Sequence, residues 1–267
     1  MLRTLKLHKY QNNLVTDMVD NKFFGIFAEP GTGKTATVLT FINIIKQKTL
    51  VIAPLRITYS VWPKEIDGTT NFKNIKYCIL HGKDKENNFL RNDVGIYLIN
   101  PEGLPWLMKM IVKHKRFPWK MLVIDESAKF KSPSAKTRFK LIKKILGKFE
   151  RIYILAGNPI PNKLADLWTQ IFILDRGRRL GKSFSSFKRK YMYQADFRGF
   201  VWEMHNWSYD DIMKSVSDIC TFIKADDHLD LPKRVINDIK FDLPEDVRKQ
   251  YKSMERTEGG DKLDSPL

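Results

Sequence analysis

A glycine-rich loop near the N-terminus constrains the fold of this chain more than any other segment. Residues 28–35 read Ala-Glu-Pro-Gly-Thr-Gly-Lys-Thr, directly after the apolar run 23–27 and before a helix-like stretch that starts near Ala36. The two glycines let the backbone turn tightly with its N–H groups inward, and the N-terminus of the following helix favours negative charge. We therefore predict a phosphate-binding loop between a strand and a helix. The alternative, a glycine loop that only caps a helix, fits the Gly-Lys-Thr context less well.

Each residue of this loop has an expected role. The backbone at Gly31, Thr32 and Gly33 is expected to surround phosphate oxygens. The Lys34 ammonium would reach the terminal phosphates, and the Thr35 hydroxyl would hold magnesium.

Composition limits the partners of such a domain. The chain has 267 residues, 43% of them hydrophobic, which suffices for one large α/β domain or for one domain with an appendage. A net charge of +17 and a pI near 9.7 favour a polyanion, with nucleic acid as the first candidate and an acidic membrane surface as the second. No apolar stretch approaches the roughly 18 residues of a membrane span, so no membrane partner is expected.

Cysteine usage and the N-terminus point to one compartment. The two cysteines, Cys78 and Cys220, form no Cys-x-x-Cys pair. The first residues have no apolar signal-peptide core. We expect a reducing, cytoplasmic location.

Short apolar runs alternate with longer amphipathic stretches. The runs predict strands at 23–28, 50–53, 76–80, 95–99, 121–124 and 151–155. The helix-length segments between them include 36–46, 102–113 and 135–146. This βα alternation predicts an α/β domain with a mostly parallel sheet flanked by helices and with right-handed crossovers.

The pattern changes near Asp175, which suggests a domain boundary. We predict an α/β domain over 1–175, a basic and aromatic helical extension over 176–225, and a linker over 226–267. Basic clusters at 113–116, 129–144, 176–179 and 188–190 predict phosphate contacts, although any one of them could be a solvated helix face.

Two interpretations fit the aromatic side chains of the extension. They are Phe187, Tyr191, Tyr193, Phe197, Phe200 and Trp202. Stacking on nucleic-acid bases is one possibility. Spacings of three or four residues favour the other, in which the rings pack a helical subdomain against the sheet.

Two adjacent carboxylates follow the predicted strand at 121–124. Asp125 and Glu126 can both border the crevice at the carboxyl end of this strand, because the chain turns there. Asp125 would hold magnesium and Glu126 would orient the attacking water. Alone, the pair would more simply cap the next helix, but the phosphate-binding loop before it favours the catalytic interpretation.

The order of these features resembles the helicase-like ATPases of superfamily 2, and in particular the Swi/Snf-type DNA translocases. The resemblance rests on segments in family order, which are 7–11, 51–55 with Trp62 and Glu65, 100–104, 125–128, and 155–159 with Asn162, 166–168 and Gln170. They cover residues 5–175, and looser similarity spans 226–251.

This resemblance implies a RecA-like P-loop NTPase lobe that binds ATP and Mg²⁺. Gln11 would recognise adenine through paired amide hydrogen bonds. Pro54, Arg56, Asn100 and Glu102 fall in motifs that contact nucleic acid, and helical protrusions in this family make duplex DNA the expected partner.

The resemblance also assigns a coupling motif. Gly157 and Asn158 lie where the family links nucleotide state to its grip on nucleic acid. Asn158 stands where the family usually has Thr, and Ala128 stands where related helicases often carry His.

A second RecA-like lobe completes the site in this family and donates arginines, which are worth roughly a thousandfold or more in rate in related nucleotide hydrolases. Sixteen residues follow Tyr251, so a second lobe would come from the rest of a longer protein or from a partner chain. The expected function is the ATP-binding lobe of an ATP-dependent DNA translocase, with weak ATP binding and little turnover as a single lobe.

Two other functions compete with this one. A non-hydrolysing nucleotide- or nucleic-acid-binding module would fit Asn158, Ala128 and a single lobe, whereas Lys34, Asp125 and Glu126 favour an ATPase. A nucleotide kinase is disfavoured because no acceptor site or lid arginines can be identified.

Overall fold

The computed structural model describes residues 2–127, 136–157, 164–197, 200–228, 244, 245, 247 and 248. The chain divides into two units, Met1–Asp230 and Leu231–Leu267. In the second unit residues 245, 247 and 248 are helical, and the Arg248 N–H donates to the Pro244 carbonyl oxygen at 2.9 Å. The first unit contains the sheet and the candidate site.

The strands confirm the α/β prediction. They are β1 Phe23–Ala28, β2 Thr49–Ile52, β3 Tyr77–Ile79, β4 Ile96–Ile99, β5 Met121–Ile124, β6 Arg151–Ala156, β7 Met192–Gln194, β8 Trp202–Met204 and β9 Cys220–Ile223. Seven of them form one sheet in the order β3-β4-β2-β5-β6-β1-β9, and every pairing in it is parallel. All six predicted strands are present, with ends that differ by at most one residue. Because the sheet is parallel, the segments that follow its strands lie along one edge.

Helices cover both faces of the sheet. They are α1 Lys9–Asp20, α2 Lys34–Ile45, α3 Leu55–Gly68, α4 Lys85–Leu90, α5 Leu104–Lys113, α6 Lys136–Ile145, α7 Ala165–Asp175, α8 Phe184–Tyr191 and α9 Ser208–Val216. The three predicted helices correspond to α2, α5 and α6, with ends shifted by up to two residues. No helix in the described part of the chain has the length and apolar character needed to cross a bilayer.

Alternating strand residues build two cores, one on each face. In β2, Leu50 and Ile52 belong to the core under α5, α6 and α7, whereas Val51 belongs to the core under α1, α2 and α3. This is the two-residue period of a strand that is covered on both sides.

The region after residue 175 differs from the purely helical extension predicted for 176–225. It contains α8, an antiparallel hairpin of β7 and β8, and α9, and then β9 returns to the edge of the main sheet beside β1. The physical reason is that β1 pairs with β6 along only one of its edges. β9 supplies hydrogen-bond partners along the other edge, where Gly25 pairs with Cys220 and Ala28 with Ile223. The division into 1–175, 176–225 and 226–267 as separate folding units stays a prediction.

Candidate nucleotide-binding site

The predicted loop, α1 and the carboxyl end of β5 enclose one pocket of about 460 Å³. Its lining includes Arg3, Leu5, Lys6, His8, Gln11, Gly31, Gly33, Lys34, Thr35, Asp125 and Glu126. The structure therefore brings four of the five predicted loop residues, all except Thr32, together with both carboxylates, which lie some 90 positions further along the sequence.

The two loop glycines have backbone conformations that other residues rarely adopt. Gly31 has φ of 86° and Gly33 has φ of 72°, both in the left-handed region. A Cβ added at Gly33 would lie 2.4 Å from the Gln11 Nε2 atom, whereas one at Gly31 would meet nothing within 4 Å. The loop is thus shaped by turning at Gly31 and by close approach to α1 at Gly33.

Lys34, the first residue of α2, points back into the loop. Its ammonium donates to the Ala28 carbonyl oxygen at 2.6 Å and to the Glu29 carbonyl oxygen at 3.1 Å. Burial lowers the pKa of Lys34, and the nearby Asp125 and Glu126 carboxylates oppose that shift. The ammonium therefore occupies the concave side of the loop, where phosphate oxygens would compete for it.

Gln11 braces the loop. Its side-chain oxygen accepts from the His8 N–H at 2.9 Å, and its Nε2 donates to the Thr32 carbonyl oxygen at 3.0 Å. The Tyr10 hydroxyl donates to the same carbonyl oxygen at 2.8 Å. Gln11 is 5% exposed, and each end of its amide already has a backbone partner. Recognition of adenine by Gln11 stays a prediction.

The Thr32 side chain has its partner within the loop, and a phosphate contact by the Thr32 backbone stays a prediction. The side chain is buried, and its hydroxyl donates to the Glu29 carbonyl oxygen at 2.8 Å. In this conformation the Thr32 hydroxyl stabilises the loop internally.

Two hydrogen bonds fix the Asp125 carboxylate. The Trp62 indole Nε1 donates to Oδ2 at 2.9 Å, and the Glu126 backbone N–H donates to Oδ1 at 2.9 Å. Burial raises the pKa of Asp125, and the Glu126 carboxylate raises it further, while the Trp62 bond and Lys34 act in the opposite direction. Each oxygen keeps a lone pair for a cation or its water.

Glu126 has a left-handed backbone, with φ of 53°. This conformation is uncommon for a residue with a Cβ and is typical of functional sites. A Cβ placed on Gly157 would lie 3.5 Å from Glu126 Oε1 and 3.8 Å from the Pro30 ring. The predicted coupling residue Gly157 therefore lies against the Glu126 carboxylate, while Asn158 and Ala128 are outside the described residues.

A buried hydrogen bond joins the carboxylate segment to α7. The Ser127 hydroxyl donates to the Gln170 side-chain oxygen at 2.6 Å, and both residues are buried. The sequence had marked both positions as parts of motifs but assigned no role to either. A small hydroxyl directly after Asp-Glu and a Gln within an apolar helix are the signals from which this contact could have been predicted.

The predicted nucleic-acid residues lie along the same edge of the sheet. Pro54 precedes α3 and Arg56 is exposed on its first turn. Asn100, which follows β4, is buried, and its amide donates to Glu102 at 2.9 Å. Glu102 also forms an ion pair with Arg138 at 2.6 Å. Glu102 therefore positions an arginine at this edge, and Arg56 is the exposed cation among the predicted residues.

Glu29 is a site residue that sequence reasoning missed. Its backbone N–H donates to the Ile223 carbonyl oxygen at 3.2 Å, and its carboxylate accepts from the Ala225 N–H at 2.8 Å. The carboxylate thus ties the loop to the segment that follows β9. The signal in the sequence was the acidic residue itself. A carboxylate inside a phosphate-binding loop repels phosphate, so Glu29 is expected there only if its carboxylate has another partner.

Fold and loop together define a RecA-like P-loop NTPase lobe. A family model described as the SNF2-related domain matches residues 10–264. The chain belongs to the SNF2-related domain family.

Two relatives and one solved structure are similar to this chain. "Putative protein p41" of Acyrthosiphon pisum secondary endosymbiont phage 1 is 28% identical over 270 residues, covering 96% of this chain and 58% of the relative. "Uncharacterized ATP-dependent helicase MG018" of Mycoplasma genitalium is 30% identical over 271 residues, covering 95% of this chain and 24% of the relative. The Sulfolobus solfataricus SWI2/SNF2 ATPase core in complex with dsDNA superposes with a TM-score of 0.66 at 24% identity, over 83% of this chain and 45% of that chain.

These matches confirm the predicted fold and the Swi/Snf-type resemblance. This chain spans about a quarter of the Mycoplasma relative and 58% of the phage relative. It corresponds to part of a longer protein in both comparisons.

Proposed function

We propose that this chain is the ATP-binding lobe of an ATP-dependent DNA translocase or helicase-like protein, which hydrolyses ATP with magnesium when a second RecA-like lobe completes the site. The observation that carries the proposal is the convergence of Lys34, Asp125 and Glu126 on one pocket. Phosphoryl transfer needs mainly positioning and charge neutralisation, which these groups supply. Membership of the SNF2-related family and the ATP-dependent helicase among the relatives support the same function.

The roles of the loop residues follow from their contacts. The Lys34 ammonium would exchange the carbonyl oxygens of Ala28 and Glu29 for phosphate oxygens, which carry full negative charge. The backbone N–H groups at Gly31, Thr32 and Gly33 would bind the same phosphates. Gln11 would add an adenine contact from α1, beside the loop that it braces.

The oxygen ligands present suit magnesium. Thr35 and Asp125 both line the pocket, and within the described residues no group of three or more His, Cys, Asp or Glu side chains is arranged to hold a metal ion alone. Magnesium characteristically takes one or two protein oxygens together with substrate phosphates and waters, and it would supply charge neutralisation there. Glu126 would orient the attacking water, and Gly157 leaves room for its carboxylate.

Duplex DNA is the proposed partner. The net charge of +17 favours a polyanion, and the Sulfolobus relative of known structure is described as bound to dsDNA. Pro54, Arg56, Asn100 and Glu102 would form the contact edge, with Arg56 and the Glu102-bound arginine facing the phosphates. We also propose a reducing, cytoplasmic location, because the chain carries two buried free thiols.

The test compares this chain with the natural full-length protein. Binding of a fluorescent ATP analogue with magnesium should be weak but measurable for the chain and should be lost in Lys34→Ala. Lys109→Ala, which removes an exposed lysine from α5, is the matched control and should bind as the unmodified chain does. In the full-length protein, Glu126→Gln should keep binding while DNA-stimulated hydrolysis falls by about a hundredfold or more.

Three results would contradict the proposal. Equal binding of the ATP analogue by Lys34→Ala and Lys109→Ala would show that Lys34 does not bind phosphate. Unchanged biological function of full-length Glu126→Gln would favour a non-hydrolysing module. Brisk DNA-stimulated hydrolysis by this chain alone would show that one lobe suffices.

A further inference from the structure

Aromatic side chains are exposed on the hairpin of β7 and β8. Phe197 and Phe200, in the connection between the two strands, are 109% and 84% exposed. Tyr193 on β7 and Trp207 after β8 are also exposed. Solvent exposure of four large rings within 15 residues is unusual for a surface that has no partner.

The sequence-based packing interpretation holds for only part of this aromatic set. Phe187 and Tyr191 of α8 are fully buried, as packing requires. Phe197 and Phe200 are on the outside, and the strand register explains why the hairpin projects. The register pairs Met192 with Met204, both half-buried against the core, and the two strands continue beyond this pair to Gln194 and Trp202.

The outward face of the hairpin carries a row of rings. His205 lies 5.3 Å from Tyr193 and 5.4 Å from Trp207, and its plane is 13° from that of Trp207. On the other face the Lys188 ammonium lies 3.7 Å from the centre of the Trp202 ring. Stacked rings with cations beside them are a typical surface for nucleic-acid bases.

The charge around the hairpin favours a polyanion. Residues 176–207 contain eight lysines and arginines against Asp196 and Glu203, a net charge of +6. Both acids are engaged inside the hairpin, since Asp196 accepts from the Val201 N–H at 2.6 Å and Glu203 accepts from the Tyr193 hydroxyl at 2.7 Å.

Several cations of this region remain available. The exposed side chains of Arg178, Lys182 and Arg189 form no ion pair with any other described residue. Cations of this kind would bind phosphates on either side of the stacked bases.

We propose that this hairpin is a second nucleic-acid contact, which stacks Phe197 and Phe200 on unpaired bases where duplex and single strand meet. The inference rests on the proposed function, because it presumes a chain that binds nucleic acid. It adds a preference that phosphate contacts along the sheet edge cannot supply. Rings stack on exposed base faces, which a blunt duplex offers only at its ends.

The experiment measures binding of the full chain to three fluorescent DNA ligands with equal numbers of phosphates: a blunt duplex, a fork with two single-stranded arms, and a single strand. The test variant is the double substitution Phe197→Ser/Phe200→Ser. It should bind the fork and the single strand at least about 25-fold more weakly, since each of the two stacked bases contributes a factor of roughly 5 to 150. Its affinity for the blunt duplex should change less than twofold, and the salt dependence should be unchanged because no phosphate contact is removed.

The matched control is Ile44→Ser/Val112→Ser, which removes two exposed apolar side chains far along the chain from the hairpin. It should bind all three ligands as the unmodified chain does. Circular dichroism of both double variants checks that the fold is retained.

Three outcomes are decisive against the proposal. Equal affinity of the test variant and the unmodified chain for the fork would overturn the hairpin contact alone. A change in oligomeric state with unchanged DNA binding would assign the rings to a contact between copies of the chain. Failure of the unmodified chain to bind any of the three ligands would overturn the proposed function as well.

Discussion

The contact between Gly33 and α1 predicts a specific cost for a single methyl group. Gly33→Ala adds a Cβ that would lie 2.4 Å from Gln11 Nε2, and the next nearest atom is Gln11 Cδ at 3.6 Å. The amide must therefore move, although Gln11 is buried and its Nε2 donates to the Thr32 carbonyl oxygen. The same substitution also places a residue with a Cβ in the left-handed region, at φ of 72°.

Gly31 supplies a matched control that separates these two costs. At Gly31 φ is 86° and an added Cβ meets nothing within 4 Å, so Gly31→Ala should cost only backbone strain, about 1–2 kcal/mol. Gly33→Ala should cost the same strain plus a broken buried hydrogen bond and an amide without its partner, which adds about 1–3 kcal/mol. We expect the free energy of unfolding to fall by roughly 2 to 5 kcal/mol for Gly33→Ala.

A double-mutant cycle with Gln11→Ala identifies the cause. When the amide is absent, Gly33→Ala should cost no more than Gly31→Ala, about 1–2 kcal/mol. Urea unfolding of the four proteins, with the slope checked for two-state behaviour, gives the coupling free energy. Equal costs for Gly31→Ala and Gly33→Ala, or a cost of Gly33→Ala that is independent of Gln11, would refute the reasoning.

Two further substitutions test buried hydrogen bonds. Trp62→Phe removes the donor to the Asp125 carboxylate, whereas Trp119→Phe removes the same ring volume from a buried indole whose N–H has no partner among the described residues. Trp62→Phe should therefore lower the free energy of unfolding by about 1.5–3 kcal/mol more than Trp119→Phe, and equal losses in urea unfolding would contradict this. The second is Tyr153→Phe. Burial raises the pKa of Tyr153 from 10.0 to about 12, and its hydroxyl donates to the Met18 carbonyl oxygen at 2.7 Å. A raised pKa means that the fold favours the neutral phenol, so this stabilisation is complete below pH 10 and is lost as pH rises towards 12. Unfolding measured from pH 8 to 12 should show the gap between the unmodified chain and Tyr153→Phe shrinking by up to roughly 2–3 kcal/mol, and a constant gap would contradict the assignment.

Much of the fold could be predicted because the strands of a doubly covered sheet are continuous apolar runs. β1 and β5 were predicted to the residue, since each is bounded by polar or turn-forming residues. β9 was missed because two of its four residues are only half-buried at the edge of the sheet, whereas the four residues of β2, β4 and β5 are all buried. The hairpin was missed because each of its strands has only three residues, and aromatic spacing near α8 suggested a longer helix.

The composition of the site could be predicted better than its internal contacts. Lys34, Asp125 and Glu126 were placed together because parallel strands put their carboxyl ends at one edge. The bond from Trp62 to Asp125 spans 63 positions and the bond from Glu29 to Ala225 spans 196. Such contacts depend on tertiary packing, and no local pattern encodes them.

Glu29 and Tyr10 connect the predicted phosphate-binding loop to β9 and to the residues that follow it. The Glu29 carbonyl oxygen accepts from the Lys34 ammonium, while its N–H and carboxylate hold the backbone of Ile223 and Ala225. The Tyr10 hydroxyl holds the loop, and its ring stacks on His228 at 4.8 Å between centroids. Because the same two residues hold both segments, the loop and the segment that leaves β9 are mechanically joined. A phosphate that drew Lys34 away from Glu29 would act on a residue that also anchors residues 223–225, which would connect the β9 edge to the predicted nucleotide site although β9 lies about 200 residues further along the chain.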